Sequence, residues 1–140
     1  MEIENKVDMI MADKQLNKIL YVEDDPSVQA VVKISLVNIG KFAIKECWNG
    51  KEALEKIEDF MPDLILSDVM MPEMDGVTML KKLRDDSRYD NIPLIFISAR
   101  AQKHEVDEYL NLGAVHVLTK PFDPVTLPNQ LKEIWEKINP

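Results

Sequence analysis

Four short apolar segments of this sequence each end in a polar residue, and this recurrence constrains the fold more than any other feature. The segments are residues 18–22 before Glu23-Asp24-Asp25, 64–67 before Asp68, 94–97 before Ser98, and 115–119 before Lys120. Runs of this length and composition are typical of buried β-strands. Helical patterns lie between them, and strands that alternate with helices indicate a parallel sheet covered on both faces.

The carboxyl ends of parallel strands meet at one edge of a sheet, where open α/β sheets bind their ligands. The polar residues that follow the strands are therefore expected to lie together at this edge: Glu23, Asp24, Asp68, Ser98 and Lys120. A second strand is predicted over residues 42–47, which makes five strands in all.

Helix starts are marked by capping residues. Asp25-Pro26 predicts an N-cap followed by a proline in the first turn, and Asn49-Gly50 predicts the start of a second helix. In the last helix, Pro128 leaves two alternatives open. The helix starts irregularly near Asp123, or its regular part starts later, near Thr126.

Three carboxylates at one edge predict a cation site. Glu23, Asp24 and Asp68 would repel one another and raise each other's pKa values unless a cation neutralised them. Mg²⁺ suits such a set, because it keeps several waters and takes few carboxylate ligands. The backbone carbonyl of Met70 is within reach of the same ion.

Asp68 is the candidate nucleophile, because a carboxylate can take a phosphoryl group to form an acyl phosphate. The ammonium of Lys120 could reach Asp68 and then a phosphoryl oxygen, and the hydroxyl of Ser98 could donate to such an oxygen. Taken alone, Lys120 would be a solvated charge and Ser98 a turn residue; their joint occurrence with Asp68 favours a site. Met70, Met71 and Met74 are expected to pack the loop beside it.

Charge and composition exclude several partners. The chain has 140 residues, which fits one domain, and its net charge of -8 argues against nucleic-acid binding. No apolar run is long enough to cross a membrane. Cys47 is the only cysteine, so a cytoplasmic setting is favoured and a buried, structural thiol is expected. Residues 1–17 are predicted to be a flexible N-terminal extension of a domain that spans residues 18–140.

These residues resemble the receiver domain of bacterial two-component response regulators, of the single-domain, chemotaxis-regulator-like kind. The resemblance covers roughly residue 18 to the C-terminus. The matching segments are ILYVEDDP at 19–26, DLILSDVMMP at 63–72 with MDG at 74–76, ISA at 97–99, and GA at 113–114 before TKPF at 119–122.

The resemblance implies a flavodoxin-like, doubly wound α/β fold with a five-stranded parallel sheet of order 2-1-3-4-5 and five helices. It implies that Asp68 accepts a phosphoryl group from a histidine kinase or histidine phosphotransfer protein, and that Lys120 and Ser98 hold that group. Mg²⁺ would bind Asp24, Asp68 and the Met70 carbonyl, with Glu23 acting through water. Such a domain promotes its own phosphorylation and dephosphorylation and is a signalling module, not an enzyme.

The family also implies an unknown downstream protein partner and a phosphorylation-dependent dimer through the face of the fourth helix, fifth strand and fifth helix. The chain departs from the family at Val117, where an aromatic residue often couples the site to this face. The presence of Met1 favours a stand-alone receiver over a piece of a longer chain.

Two other function classes remain as alternatives. A Mg²⁺-dependent phosphatase would use Asp68 as a transient nucleophile, but Met70 stands where such hydrolases place a general acid. A phosphorylation-independent interaction domain would share the fold without the chemistry, but the set of acids, Lys120 and Ser98 is complete.

Overall fold

The computed structural model describes residues 15–99 and 102–139 of the chain. Their centre is a five-stranded parallel sheet in the order β2-β1-β3-β4-β5, as the sequence predicted. The strands are β1 (Lys18–Val22), β2 (Ala43–Cys47), β3 (Leu64–Asp68), β4 (Leu94–Ser98) and β5 (His116–Thr119). The strand order reverses beside β1, so a crevice is expected at the carboxyl ends of β1 and β3.

Helices connect the strands and cover both faces of the sheet, so the predicted doubly wound α/β fold is confirmed. The described part of the chain has five α-helices: α1 (Pro26–Ile34), α2 (Gly50–Phe60), α3 (Gly76–Arg84), α4 (Lys103–Asn111) and α5 (Leu127–Ile138). A π-helical turn, Ser35–Ile39, extends α1, and a 3₁₀ turn, Ser87–Tyr89, follows α3.

Side-chain caps fix where three of these helices begin. The Asp25 carboxylate accepts hydrogen bonds from the amides of Ser27 and Val28, and the side-chain Oδ1 of Asn49 accepts from the amide of Glu52. Both caps agree with the sequence prediction. Asp75 caps α3 in the same way, because its carboxylate accepts from the amide of Thr78. Each cap satisfies amides that the first turn of a helix leaves without a partner.

The start of α5 settles the question that Pro128 raised. The helix begins at Leu127, so Pro128 falls in its first turn, where a missing amide breaks no helical hydrogen bond. The later of the two predicted starts is therefore the observed one.

The core has two parts, one on each face of the sheet. β3 and β4 are buried along their whole length, because helices cover them from both sides. The α2–α3 side buries, among others, Leu20, Ile65, Leu80 and Phe96. The α1–α5 side buries, among others, Ile19, Leu36, Leu66 and Trp135. This packing fixes the strand ends that carry the candidate site.

The packed unit includes residues just before β1. Leu16 is 8% exposed, and the amide of Asn17 donates to Asp63 Oδ2 at 3.0 Å. The carbonyl of Asn17 accepts from the amide of Ala43 at 2.9 Å. Most of the extension predicted over residues 1–17 lies outside the described residues, but its last two residues pack on the sheet. None of the described helices combines the length and apolarity needed to cross a membrane.

Candidate functional site

The carboxyl ends of four strands carry all of the predicted site residues except Met70, which lies in the loop after β3. Glu23 and Asp24 follow β1, Asp68 is the last residue of β3, Ser98 is the last residue of β4, and Lys120 follows β5. Strand register keeps these ends level, because Val22 pairs with Ser67 and Ser98 pairs with Thr119. The sequence therefore predicted correctly that these residues would lie at one edge.

Three of them form a compact acidic cluster. Glu23, Asp24 and Asp68 each offer a carboxylate oxygen within 4.8 Å of the others. Glu23 is 1% exposed and Asp68 9% exposed, while Asp24 faces solvent. Oxygen donors with one side open to water are the ligand set that Mg²⁺ prefers, so the residues fit the cation that the sequence predicted.

Lys120 lies against this cluster. Its Nζ is 2.9 Å from Asp68 Oδ2 and 3.3 Å from Glu23 Oε1. Burial alone would lower the pKa of Lys120, but the hydrogen bond and charge of Asp68, with the charge of Glu23, outweigh it and raise that pKa. Lys120 is therefore charged at neutral pH and neutralises part of the acidic cluster.

One positive charge does not balance three carboxylates. Burial, together with the hydrogen bond and negative charge of Asp68, raises the pKa of Glu23 to about 7 against the opposing charge of Lys120. Glu23 therefore takes up a proton near neutral pH when no cation is present. A divalent cation would replace that proton.

Asp68 is held on both carboxylate oxygens. The amide of Val69 donates to Oδ1 at 2.7 Å, and Lys120 donates to Oδ2. The buried hydroxyl of Ser67 donates to the Asp68 carbonyl at 2.8 Å, so its backbone is held as well. These contacts orient the carboxylate before any ligand arrives, which is what a preorganised nucleophile needs.

The loop after β3 closes tightly on Asp68. The amide of Gly76 donates to the Val69 carbonyl at 2.8 Å. A Cβ at position 76 would lie 2.5 Å from the Asp68 carbonyl oxygen and 2.7 Å from Cε1 of Phe96. No side chain fits there, so glycine is required by the close approach of α3 to the end of β3.

The methionines of this loop differ in their packing. Met71 and Met74 are partly buried against the core, as expected, but the side chain of Met70 is 76% exposed. The expectation that Met70 packs the loop is wrong, because its side chain points away from the hydrophobic cluster. The part predicted for its carbonyl in cation binding stays a prediction.

Ser98 lies at the edge beside Lys120. It is 5% exposed, and its carbonyl accepts the amide of Lys120 at 2.9 Å. This hydrogen bond ties the end of β4 to the residue that carries the ammonium. The peptide bond between Lys120 and Pro121 is cis. The predicted contact of the Ser98 hydroxyl with a phosphoryl group stays a prediction.

Sequence analysis did not single out Gln29. It is 2% exposed, and its side-chain amide donates to the carbonyls of Glu23 and Cys47. A signal was present in the sequence, because Gln29 lies three residues before Val32 of α1 and seven before Leu36 of the π-helical turn, both of which are buried. A polar residue in the core-facing series of an apolar helix needs a partner, and here the partners border the acidic cluster.

Comparison with known proteins agrees with this fold. The family model described as response regulator receiver domain matches residues 19–132. The chain therefore belongs to the response regulator receiver domain family, and it is a signalling domain of two-component systems. Receiver domains bind Mg²⁺ at an acidic cluster and interact with histidine kinases or phosphotransfer proteins and with downstream targets.

One curated relative is similar to most of this chain. The chain is 36% identical over 106 residues to response regulator Rre1 of Synechocystis sp. (strain ATCC 27184 / PCC 6803 / Kazusa), an alignment that covers 76% of this chain and 46% of Rre1. The chain thus matches less than half of that curated relative's length.

Two solved structures share the fold along most of their length. Chemotaxis response regulator CheY4 of Vibrio cholerae superposes with a TM-score of 0.79 at 31% identity, covering 85% of this chain and 98% of CheY4. The receiver domain of a signal transduction histidine kinase from Syntrophus aciditrophicus has a TM-score of 0.76 at 33% identity, covering 86% of this chain and 91% of that domain.

Proposed function

We propose that Asp68 of this receiver domain accepts a phosphoryl group from a histidine kinase or histidine phosphotransfer protein. The observation that carries the proposal is the position of Lys120, whose Nζ lies 2.9 Å from Asp68 Oδ2 at the carboxyl edge of the sheet. A buried carboxylate beside a fixed ammonium can accept a phosphoryl group, because the ammonium neutralises part of the negative charge of that group.

The transfer forms a bond between an Asp68 carboxylate oxygen and phosphorus and breaks the bond between phosphorus and the donor histidine nitrogen. The electron pair of the broken bond stays on that nitrogen. Lys120 would donate to a phosphoryl oxygen and remain paired with Glu23, which lies 3.3 Å away. Ser98, level with Lys120 at the strand ends, would donate its hydroxyl to another phosphoryl oxygen.

The cation is part of the same proposal. Asp24, Asp68 and the carbonyl of Met70 would hold Mg²⁺, and Glu23 would contact it through water. When bound, Mg²⁺ supplies positive charge for the transferring oxygens and aligns them. Support comes from the 4.8 Å acidic cluster and from the raised pKa of Glu23, both of which indicate a site short of positive charge.

Phosphorylation is proposed to shift the face formed by α4, β5 and α5 between two states that a downstream protein or a second copy distinguishes. Support comes from α4, because none of its nine residues is fully buried. An element with few buried contacts changes its packing at low cost. Val117 on β5 is half-buried, so the coupling would use side chains other than an aromatic at that position. Sedimentation with and without a phosphate mimic tests whether two copies of the chain form a phosphorylation-dependent dimer. Monomers in both states would exclude that dimer.

The proposal makes Asp68 a stoichiometric acceptor, not the nucleophile of a phosphatase. Met70, two residues after Asp68, has an apolar side chain that cannot supply a general acid. Rapid multiple turnover of small phosphate esters would instead support the phosphatase. The proposed setting is the cytoplasm, consistent with a single, buried, unpaired cysteine.

The experiment is intact mass spectrometry after incubation with a small acyl-phosphate donor, with and without Mg²⁺. Wild type is expected to gain one Mg²⁺-dependent phosphoryl adduct and Asp68→Ala none. Asp59→Ala removes an exposed acid on α2 and serves as the matched control, which should gain the adduct. An adduct on Asp68→Ala would contradict the proposal. If neither a small donor nor a kinase phosphorylates wild type, a phosphorylation-independent module becomes the better reading.

A further inference from the structure

A buried amide side chain borders the acidic cluster from helix α1. Gln29 is 2% exposed and lies one turn before Val32, which packs on the sheet from α1. Burial of a carboxamide is costly unless its polar atoms are hydrogen-bonded. The partners of Gln29 therefore indicate why a polar residue stands among apolar ones.

Gln29 donates to two backbone carbonyls, that of Glu23 directly after β1 and that of Cys47 at the end of β2. Its Nε2 lies 3.2 Å from the Glu23 carbonyl and 3.3 Å from the Cys47 carbonyl. Both partners are acceptors, so only the NH₂ end of the carboxamide can face them, and this fixes its orientation. The amide of Glu23 also donates to the Cys47 carbonyl at 3.0 Å. The end of β1 is thus joined to the end of β2 through Gln29.

The first of these hydrogen bonds fixes the peptide unit between Glu23 and Asp24. Within residues 15–99 and 102–139, no hydrogen bond holds the exposed Asp24 carboxylate, so its distance from the other acids depends on where the backbone places the residue. On the other side of Asp24, the amide of Gln29 donates to the Asp25 carbonyl at 2.9 Å. The backbone on both sides of Asp24 is therefore held by one residue of α1.

We propose that Gln29 is a positioning residue for the cation site: its carboxamide holds the Glu23–Asp24 peptide so that both carboxylates face Asp68. The inference rests on the proposed Mg²⁺ site and adds a residue that contacts neither the cation nor the phosphoryl group. Residues that orient ligands in this way strongly affect metal affinity without touching the metal.

The test compares Mg²⁺ affinity with stability. Gln29→Met keeps the length and burial of the side chain but removes both donors. Leu36→Met also introduces a methionine at a fully buried position, in the π-helical turn that extends α1, and is the matched control. Isothermal titration with MgCl₂ gives the dissociation constant, and urea unfolding in EDTA gives the stability of each variant.

The dissociation constant for Mg²⁺ is expected to be about tenfold larger for Gln29→Met than for wild type. Leu36→Met should bind Mg²⁺ as tightly as wild type, even if its free energy of unfolding falls as much as that of Gln29→Met. If Gln29→Met is destabilised but binds Mg²⁺ as tightly as wild type, Gln29 is only structural and the inference is overturned. If wild type itself does not bind Mg²⁺, the proposed cation site fails first.

A second variant covers the case in which Gln29→Met does not fold. Gln29→Asn keeps a carboxamide in the same place but is one methylene shorter, so its NH₂ group falls short of the Glu23 carbonyl. It is expected to weaken Mg²⁺ binding several-fold, about as other lost orienting contacts do. Unchanged affinity in a folded Gln29→Asn protein would overturn the inference on its own.

Discussion

Lys120 Nζ lies 2.9 Å from Asp68 Oδ2, although the two residues are 52 positions apart in the chain. The contact joins the ends of β3 and β5, which are not neighbours in the sheet, across the end of β4. Lys120 is 23% exposed and Asp68 12% exposed at the side chain, so water screens the pair only in part. The ion pair closes the site and holds its acceptor carboxylate in place.

Removing the ammonium should therefore destabilise the metal-free protein. We expect Lys120→Met to lower the free energy of unfolding by about 2 kcal/mol, less than for a fully buried pair, because it leaves two buried carboxylates without a counter-charge. Urea unfolding in EDTA measures this, with Lys82→Met as a control at an exposed position on α3. Equal stability of Lys120→Met and wild type would show that the ion pair contributes nothing.

The acidic cluster should make stability depend on pH. The pKa of Glu23 is raised to about 7 from its ordinary value of 4.5, so the folded protein binds more protons than the unfolded chain between these values. The free energy of unfolding therefore falls as pH rises from about 4.5 to 7, and the stabilisation by the proton is fully present only below that range.

Glu23→Gln isolates this effect, since the variant cannot titrate at position 23. In EDTA, the stability of wild type relative to Glu23→Gln is expected to fall between pH 5 and pH 7.5. Urea unfolding at several pH values measures the difference. Parallel pH profiles for the two proteins would mean that Glu23 keeps its ordinary pKa in the folded state.

Gly76 should tolerate no side chain. A Cβ there would lie 2.5 Å from the Asp68 carbonyl oxygen, so Gly76→Ala forces α3 away from β3 at a cost of about 1–3 kcal/mol. Thr78→Ala, an exposed change in the first turns of the same helix, should change stability by less than about 0.5 kcal/mol. Chemical denaturation compares them, and a Gly76→Ala protein as stable as Thr78→Ala would refute the close approach.

Cys47 should be inert while the protein is folded. It is 0% exposed, and burial raises the pKa of its thiol to about 12, so the reactive thiolate is scarce at pH 8. Unfolding restores an ordinary thiol pKa and access to reagent. Pulse alkylation followed by intact mass should label Cys47 quickly in concentrated urea and very slowly without it. Rapid labelling of the native protein would contradict its burial.

Much of this structure follows from local sequence patterns. Apolar runs before Glu23, Asp68 and Ser98 predict strands because each run is short, almost wholly apolar and followed by a polar residue. Asp25 and Asn49 predict helix starts because a side-chain cap acts within three residues of itself. Parallel strands must align their carboxyl ends, so the grouping of the site residues follows from the same patterns.

Other features depend on how the elements pack. The π-helical turn after α1 has Ser35 buried, with its hydroxyl donating to the Pro124 carbonyl at a distance of 89 residues in sequence. Packing of Leu16 on the sheet and exposure of Met70 likewise depend on neighbours far along the chain. The role of Gln29 also depends on packing, because the sequence alone does not show which backbone carbonyls a polar side chain of a helix will contact.

The most direct test of the account locates the phosphoryl group in the chain. Protein treated with a small acyl-phosphate donor and Mg²⁺ is reduced with borohydride, which converts an aspartyl phosphate to homoserine, and its peptides are sequenced by tandem mass spectrometry. We expect homoserine at position 68 and aspartate retained at positions 24 and 25. Homoserine at another aspartate, with position 68 unchanged, would contradict it.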